Sequence, residues 1–161
     1  MSYLIIIRGP LGVGKTTIAK KLAVKLKGEY FSVDKILGKY KLGYDAEGGN
    51  ISQKSFLKTN KILAPEARKF LDKNIPVIFD GNFYWQSHIN DLVNKLGVKH
   101  YIFTLHASLE TCIKRDEDRD KTYGVDAAKA VYKRSVELDR GTVINTMSSE
   151  ESVLKEIISF L

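Results

Sequence analysis

Short apolar runs alternate along the chain with longer stretches of helical period. Runs at 3–8, 29–33, 77–79, 99–105 and 142–146 predict strands. Between them, the periodic segments 16–27, 59–72, 85–96, 108–118 and 126–138 predict helices, and a capping box, Ser148-x-x-Glu151, opens a last one running to about 160. Strands alternating with crossover helices predict an α/β three-layer sandwich: a five-stranded parallel sheet with helices on both faces and ligands outside the strand C-termini. Two polar stretches interrupt this rhythm. One spans about 35–60 and includes Gly48-Gly49-Asn50; the other spans about 112–126 and is dense in charge. Long polar insertions are commonly functional, so one domain over 1–161 is expected, with an acceptor-side insertion and a lid.

The first apolar run leads straight into Gly9-Pro10-Leu11-Gly12-Val13-Gly14-Lys15-Thr16-Thr17. This is the G-x-x-x-x-G-K-[ST] pattern, set between a strand and a helix as a phosphate-binding loop requires. Its glycines let backbone N–H groups turn toward a polyphosphate, and the following helix aims its positive dipole end at the same anion. Lys15 then reaches the outer phosphates and the Thr16 hydroxyl ligates Mg2+. A nucleoside triphosphate ligand on a P-loop NTPase fold is therefore expected.

Composition narrows the setting. The net charge of +7 favours anionic partners, nucleic acid included, although Lys20, Lys21, Lys25 and Lys27 equally suit a solvated helix face. No apolar run approaches a membrane span, the first run is too short for a signal peptide, and the lone Cys112 allows no internal disulfide. A cytoplasmic monomer or homodimer, without membrane contact, is expected. His88, His100 and His106 lack metal-ligand spacing, Cys112 reads as packing, and Tyr123-Gly124 reads as a turn within the lid.

The chemistry after the loop separates switch, motor and transferase. Base reading by a guanine switch needs N-K-x-D; Asn60-Lys61 and Asn94-Lys95 both continue otherwise, which points to ATP. The one D-x-x-G, Asp45 to Gly48, lies in the polar insertion. Asp80 is followed by Gly81 rather than by the second acidic residue of motor ATPases, and could organise Mg2+ with Thr16. A phosphotransferase needs a proton acceptor and cations to meet the charge of the transferring group. Asp34, at the end of the second strand, is the candidate base, with an N-cap role for a helix from Lys35 as the alternative. Arg115 and Arg119, spaced i,i+4 at the lid, are candidate clamps, with a salt-bridged helix face as the alternative.

Five residue sets together resemble the small P-loop kinases of the adenylate, shikimate and polynucleotide kinase type, a group that takes in the AAA-type, zeta-toxin-like ATP-binding proteins. They are residues 9–17, Ser32-Val33-Asp34, 77–82, Cys112-x-x-Arg115-x-x-x-Arg119, and Val143-Ile144-Asn145-Thr146. The resemblance implies strand order 2-3-1-4-5, an arginine-bearing lid, and adenine held near Arg115 and 146–149. It also implies an acceptor wall of Asp34, Tyr40, Tyr44, Asn82, Tyr84 and Trp85, where helix packing is the alternative for the last two. The third strand lacks the Gly-Gly-Gly of shikimate kinases, and Arg68 alone represents arginine over 35–80, unlike nucleotide-accepting kinases. The expected activity is transfer of the γ-phosphoryl of Mg-ATP to a hydroxyl of a small metabolite or nucleoside. The alternatives are a polynucleotide 5′-hydroxyl kinase and an ATP-binding module that phosphorylates nothing.

Overall fold

The computed structural model describes residues 1–119 and 122–161; Asp120 and Lys121 of the expected lid lie outside the described residues. The chain opens on β1 (Leu4–Arg8), passes through the glycine-rich loop into α1 (Lys15–Leu26), returns as β2 (Glu29–Ser32) and turns at once into α2 (Val33–Lys39). A small hairpin follows, β3 (Ala46–Glu47) and β4 (Asn50–Ile51), then α3 (Gln53–Leu71), β5 (Val77–Asp80) and α4 (Gln86–Leu96). The rest is β6 (His100–His106), α5 (Leu109–Glu117), α6 (Val125–Glu137), β7 (Thr142–Asn145) and α7 (Glu150–Ile158).

The main sheet is parallel, in the order β2-β5-β1-β6-β7. With the hairpin set aside this is 2-3-1-4-5, as expected. β1 is central, and its alternation supplies both cores. Leu4 and Ile6 pack with Phe56, Leu63 and Leu92 on the side of α3 and α4. Ile5 and Ile7 pack with Ile18, Leu22 and Ile157 on the side of α1 and α7. The C-terminal ends of β1, β2 and β5 therefore converge beside the phosphate loop.

Several boundaries differ from expectation, each for a local reason. The second strand stops at Ser32, because the Ser32 hydroxyl caps α2 by accepting from the Lys35 N–H at 3.3 Å. Helix α3 begins well before residue 59 because Ser52 caps it, accepting from the Ser55 N–H at 3.1 Å. The polar insertion is structured: Gly48 and Gly49, at φ +58° and +77°, supply the two left-handed residues of a tight hairpin turn. The capping box of the last helix does not form. Ser149 caps α7 instead, accepting from Ser152 N–H at 3.2 Å, while Glu150 and Glu151 pair with Lys21 and Lys25 of α1. Among the described residues no helix is long and apolar enough to cross a membrane.

His88, on α4, is fully buried and stacked between Phe83 at 4.1 Å and Phe56 at 4.7 Å. Neither ring nitrogen has a partner among the described residues. Burial holds its pKa down to about 3 from 6.5, against the weaker pull of Asp91. The folded protein keeps this imidazole neutral while the unfolded chain protonates it, so stability is full above pH 6.5 and falls as pH drops toward 3. Urea titrations at descending pH should show the native protein losing about 1.4 kcal/mol per unit relative to His88→Phe. Parallel pH profiles for the two proteins would refute the assignment.

Candidate active site

The phosphate loop is shaped by close approach as much as by backbone freedom. A Cβ on Gly9 would stand 2.7 Å from the Leu105 carbonyl oxygen, and Gly12, at φ +77°, lies against the backbone carbonyl of Cys112. The loop is thus seated on the ends of β6 and α5. Gly14, at φ +102°, caps α1 and has open space around it. Lys15 is buried, and its ammonium donates to the Pro10 carbonyl at 2.7 Å, lying back along the loop it serves. Burial lowers its pKa, and the carboxylates of Asp80 and then Asp34 oppose that shift.

Asp80, at the C-terminal end of β5, is buried, and its Oδ2 accepts from the Thr16 hydroxyl at 2.7 Å and from the Tyr30 hydroxyl at 2.8 Å. A hydroxyl from the loop and a carboxylate from the neighbouring strand, one hydrogen bond apart, form the hard-oxygen pair that suits Mg2+. Tyr30, on β2, escaped sequence reasoning because a tyrosine in a strand looks like packing. Burial, then the charge and hydrogen bond of Asp80, raise its pKa, so it stays a donor that fixes the carboxylate.

Asp34 is the second residue of α2. Ser32 is the cap, so the capping role considered for Asp34 falls away. Its carboxylate borders a cavity of about 670 Å3 and keeps an exposed face toward it. The surrounding protein raises its pKa by desolvation, an effect that water in the cavity tempers; Lys15 pulls it down, Asp80 pushes it up and Arg119 pulls it down again. The same cavity is lined by Leu11 of the loop and by Asn82, Tyr84 and Tyr44 of the expected wall. Two expected members are elsewhere. Tyr40 lies outside under the Lys39 ammonium at 5.4 Å, and Trp85 turns away to donate from Nε1 to the Ile51 carbonyl at 2.8 Å. Tyr84 contributes its ring, while its hydroxyl accepts from the Ile51 N–H at 3.1 Å. This pair of bonds pins the hairpin and leaves Tyr84 serving both wall and scaffold.

A second cavity, of about 300 Å3, lies on the other side of the loop, lined by Gly12, Val13, Gly14, Thr17 and both lid arginines. Arg115 spans from the loop to the segment after β7, donating to Val13 O at 3.3 Å, Thr146 Oγ1 at 3.4 Å and Thr146 O at 3.4 Å. Arg119 lies past the end of α5 rather than on its face. It stays beside Arg115 because the buried Asp116 carboxylate approaches its guanidinium at 3.8 Å. Asp116 also accepts from the Tyr123 N–H at 3.1 Å, so one carboxylate organises the lid on both sides of its bend.

Tyr123 is the lid residue that sequence reasoning misjudged. It is not merely part of a turn, for it lines the 670 Å3 cavity together with Asp34, whose charge raises its pKa second only to burial. Arg134 and Arg140 have structural partners. Arg134 lies 4.3 Å over the Trp85 ring, and Arg140 donates to Asn90 Oδ1 at 3.1 Å. Arg8 was read only as the end of a strand. It is wholly buried, and its guanidinium donates to Phe83 O at 3.1 Å, Thr104 Oγ1 at 2.7 Å, Ser135 O at 3.0 Å and Leu138 O at 3.2 Å.

This fold and loop define the P-loop kinase-like class of α/β proteins. The AAA domain family matches residues 4–138, and the chain belongs to that family. Among solved structures, the chain is similar to a sugar kinase from Janibacter sp., at TM-score 0.81 and 15% identity over 99% of this chain and 94% of that one. It is similar to a gluconokinase from Sinorhizobium meliloti 1021, at 0.72 and 12% over 96% and 89%. It is also similar to shikimate kinase from Aquifex aeolicus, at 0.66 and 16% over 97% and 94%. At such identities the likeness shows the shared fold. No curated protein sequence matches the chain.

The two inner glycines of the loop separate conformational strain from steric collision. Gly14→Ala should cost about 1 kcal/mol, the strain of a left-handed alanine. Gly12→Ala carries the same strain and also drives a methyl group into the Cys112 carbonyl, so it should cost about 3 kcal/mol. Thermal unfolding without nucleotide checks the order; equal losses would show that the loop gives way at Gly12.

Proposed function

We propose that the protein is a Mg-ATP-dependent phosphotransferase, residues 1–161 acting as one kinase domain, that moves the γ-phosphoryl group to a hydroxyl of a small molecule. The observation that carries this is the pair of cavities on either side of the phosphate loop. One is bordered by Leu11 and Asp34, and the other by Gly12 to Gly14 with Arg115 and Arg119. A module that only binds ATP has no need of a second cavity with a carboxylate at its loop side.

In this reading the loop amides and Lys15 hold the β- and γ-phosphates, and Arg115 clamps the nucleotide against the Thr146 segment. Arg119, whose charge acts on both Lys15 and Asp34, meets the charge of the transferring group. Thr16 and Asp80 would hold Mg2+, which supplies charge neutralisation at the phosphate oxygens when bound. The acceptor oxygen bonds to the γ-phosphorus as the bond to the β,γ-bridging oxygen breaks, ADP leaves with that electron pair, and the hydroxyl proton passes to Asp34. Lys21 and Lys25 are paired with α7, and Arg134 and Arg140 are engaged within the fold. The positive net charge is therefore a weaker argument for a polynucleotide acceptor than composition alone suggests.

ATP consumption across a panel of hydroxyl acceptors tests the reading. Lys15→Ala should abolish transfer. Asp34→Asn should lower kcat about 1,000-fold while changing ATP affinity by less than about threefold. Because a base must be deprotonated and the Asp34 pKa is raised, kcat/KM should fall on the acid side at a pH above the ordinary carboxylate range. That limb should be absent from the residual activity of Asp34→Asn. Full activity in that variant would remove Asp34 from the base role.

A further inference from the structure

Resting on the phosphotransferase reading, we propose that the acceptor is an uncharged alcohol with an aromatic or alicyclic face, not a sugar acid and not the end of a polynucleotide. The walls of the 670 Å3 cavity carry this. From the lid side, Ala127, Ala130 and Val131 of α6 present a stripe at helical spacing, and Leu37, Ile51 and Tyr84 stand on the other walls. The polar groups of Ile51 are already used, since its N–H goes to Tyr84 and its carbonyl accepts from Trp85. A polyol laid against these surfaces would leave hydroxyls without partners, whereas a flat apolar face would bury them to advantage.

Charge points the same way. Among the described lining residues the single cation is Lys41, which is exposed, while Asp34 is the carboxylate. The arginines that could meet an anion are committed elsewhere: Arg115 and Arg119 line the other cavity, Arg134 covers Trp85, and Arg68 donates to the Leu96 carbonyl. An anionic acceptor would thus face the Asp34 carboxylate with no guanidinium among the described lining residues to pair with it. Asn82 completes the pattern. It is 6% exposed, it lines the cavity, and its Oδ1 has no partner among the described residues. A buried amide left unsatisfied by its own fold suits a ligand that brings one or two hydrogen-bonding groups near its reactive hydroxyl.

The test compares thymidine and phenyl β-glucoside with glucose, with gluconate and shikimate, and with a 5′-hydroxyl oligonucleotide. Two readouts are used, ADP release and quenching of Trp85, the only tryptophan. The first pair should exceed every other acceptor in kcat/KM by about tenfold or more, the discrimination that apolar contact supplies. Val131→Asp should lower that value about tenfold with ATP affinity unchanged; Ala130→Asp replaces it should the first variant fail to fold. A smaller preference, or a preference for glucose, an anion or the oligonucleotide, overturns the proposal and leaves the kinase reading standing. If no acceptor raises ATP consumption, the kinase reading falls. The quenching then decides: tighter binding of thymidine or phenyl β-glucoside than of gluconate supports the cavity assignment, and equal or weaker binding overturns it.

Discussion

The site hangs on one buried cation. Arg8 ends the central strand immediately before the phosphate loop, and among the described residues its guanidinium donates to carbonyl and hydroxyl oxygens rather than to a carboxylate. Burial lowers its pKa to about 10, still high enough to keep it charged at neutral pH. Ser135 O and Leu138 O belong to the end of α6, where helix carbonyls lack partners and the dipole is negative. Among the described residues the charge is thereby compensated by dipoles. Each such bond to a charged donor is worth about 1.5–3 kcal/mol, and together they tie the lid helix to the sheet at the root of the loop.

From that anchor the acceptor side is built by contacts at increasing distance from the sheet. Helix α6 carries Arg134, whose guanidinium covers Trp85; Trp85 and Tyr84 hold Ile51; and Ile51 fixes the hairpin that forms a wall of the cavity. Lid, post-β5 segment and hairpin are therefore one connected assembly rather than three loops. Among the elements lining the 670 Å3 cavity are two-residue strands and a short helix, which carry little stability of their own. Their geometry depends on these few side-chain contacts.

This division explains what was legible in the sequence. β1, the loop and α1 were legible because an apolar run, a glycine spacing and a helical period are all local patterns. Strand order followed from resemblance and holds. The hairpin was not legible, since two-residue strands show no period and Ala46 and Glu47 are exposed. The local duty of Asp34 was not legible, because Ser32, two residues earlier, competes for the cap and wins it. Tyr123 and Arg8 were missed for a common reason. Each acquires its role only when α6 folds back over the sheet, and neither carries a spacing that announces this. In Arg8 the opposite signal is present, for a charged residue after an apolar run reads as the strand's exit into water.

The two carboxylates beside Lys15 illustrate how environment assigns roles that residue type leaves open. Asp80 is immobilised: it is buried, and its Oδ2 accepts hydrogen bonds from the hydroxyls of both Thr16 and Tyr30. Among the described residues Asp34 has no such donors; desolvation first, then the charges of Lys15, Asp80 and Arg119, shift its pKa. A carboxylate bound by two donors is well suited to hold a metal and its water. One that borders an open cavity with its basicity raised is suited to receive a proton. Lys15 lies in the field of both, so neutralising either would change the charge balance around the Lys15 ammonium as well as its own site. The effects of altering Asp34 and Asp80 should therefore be coupled through Lys15 rather than additive.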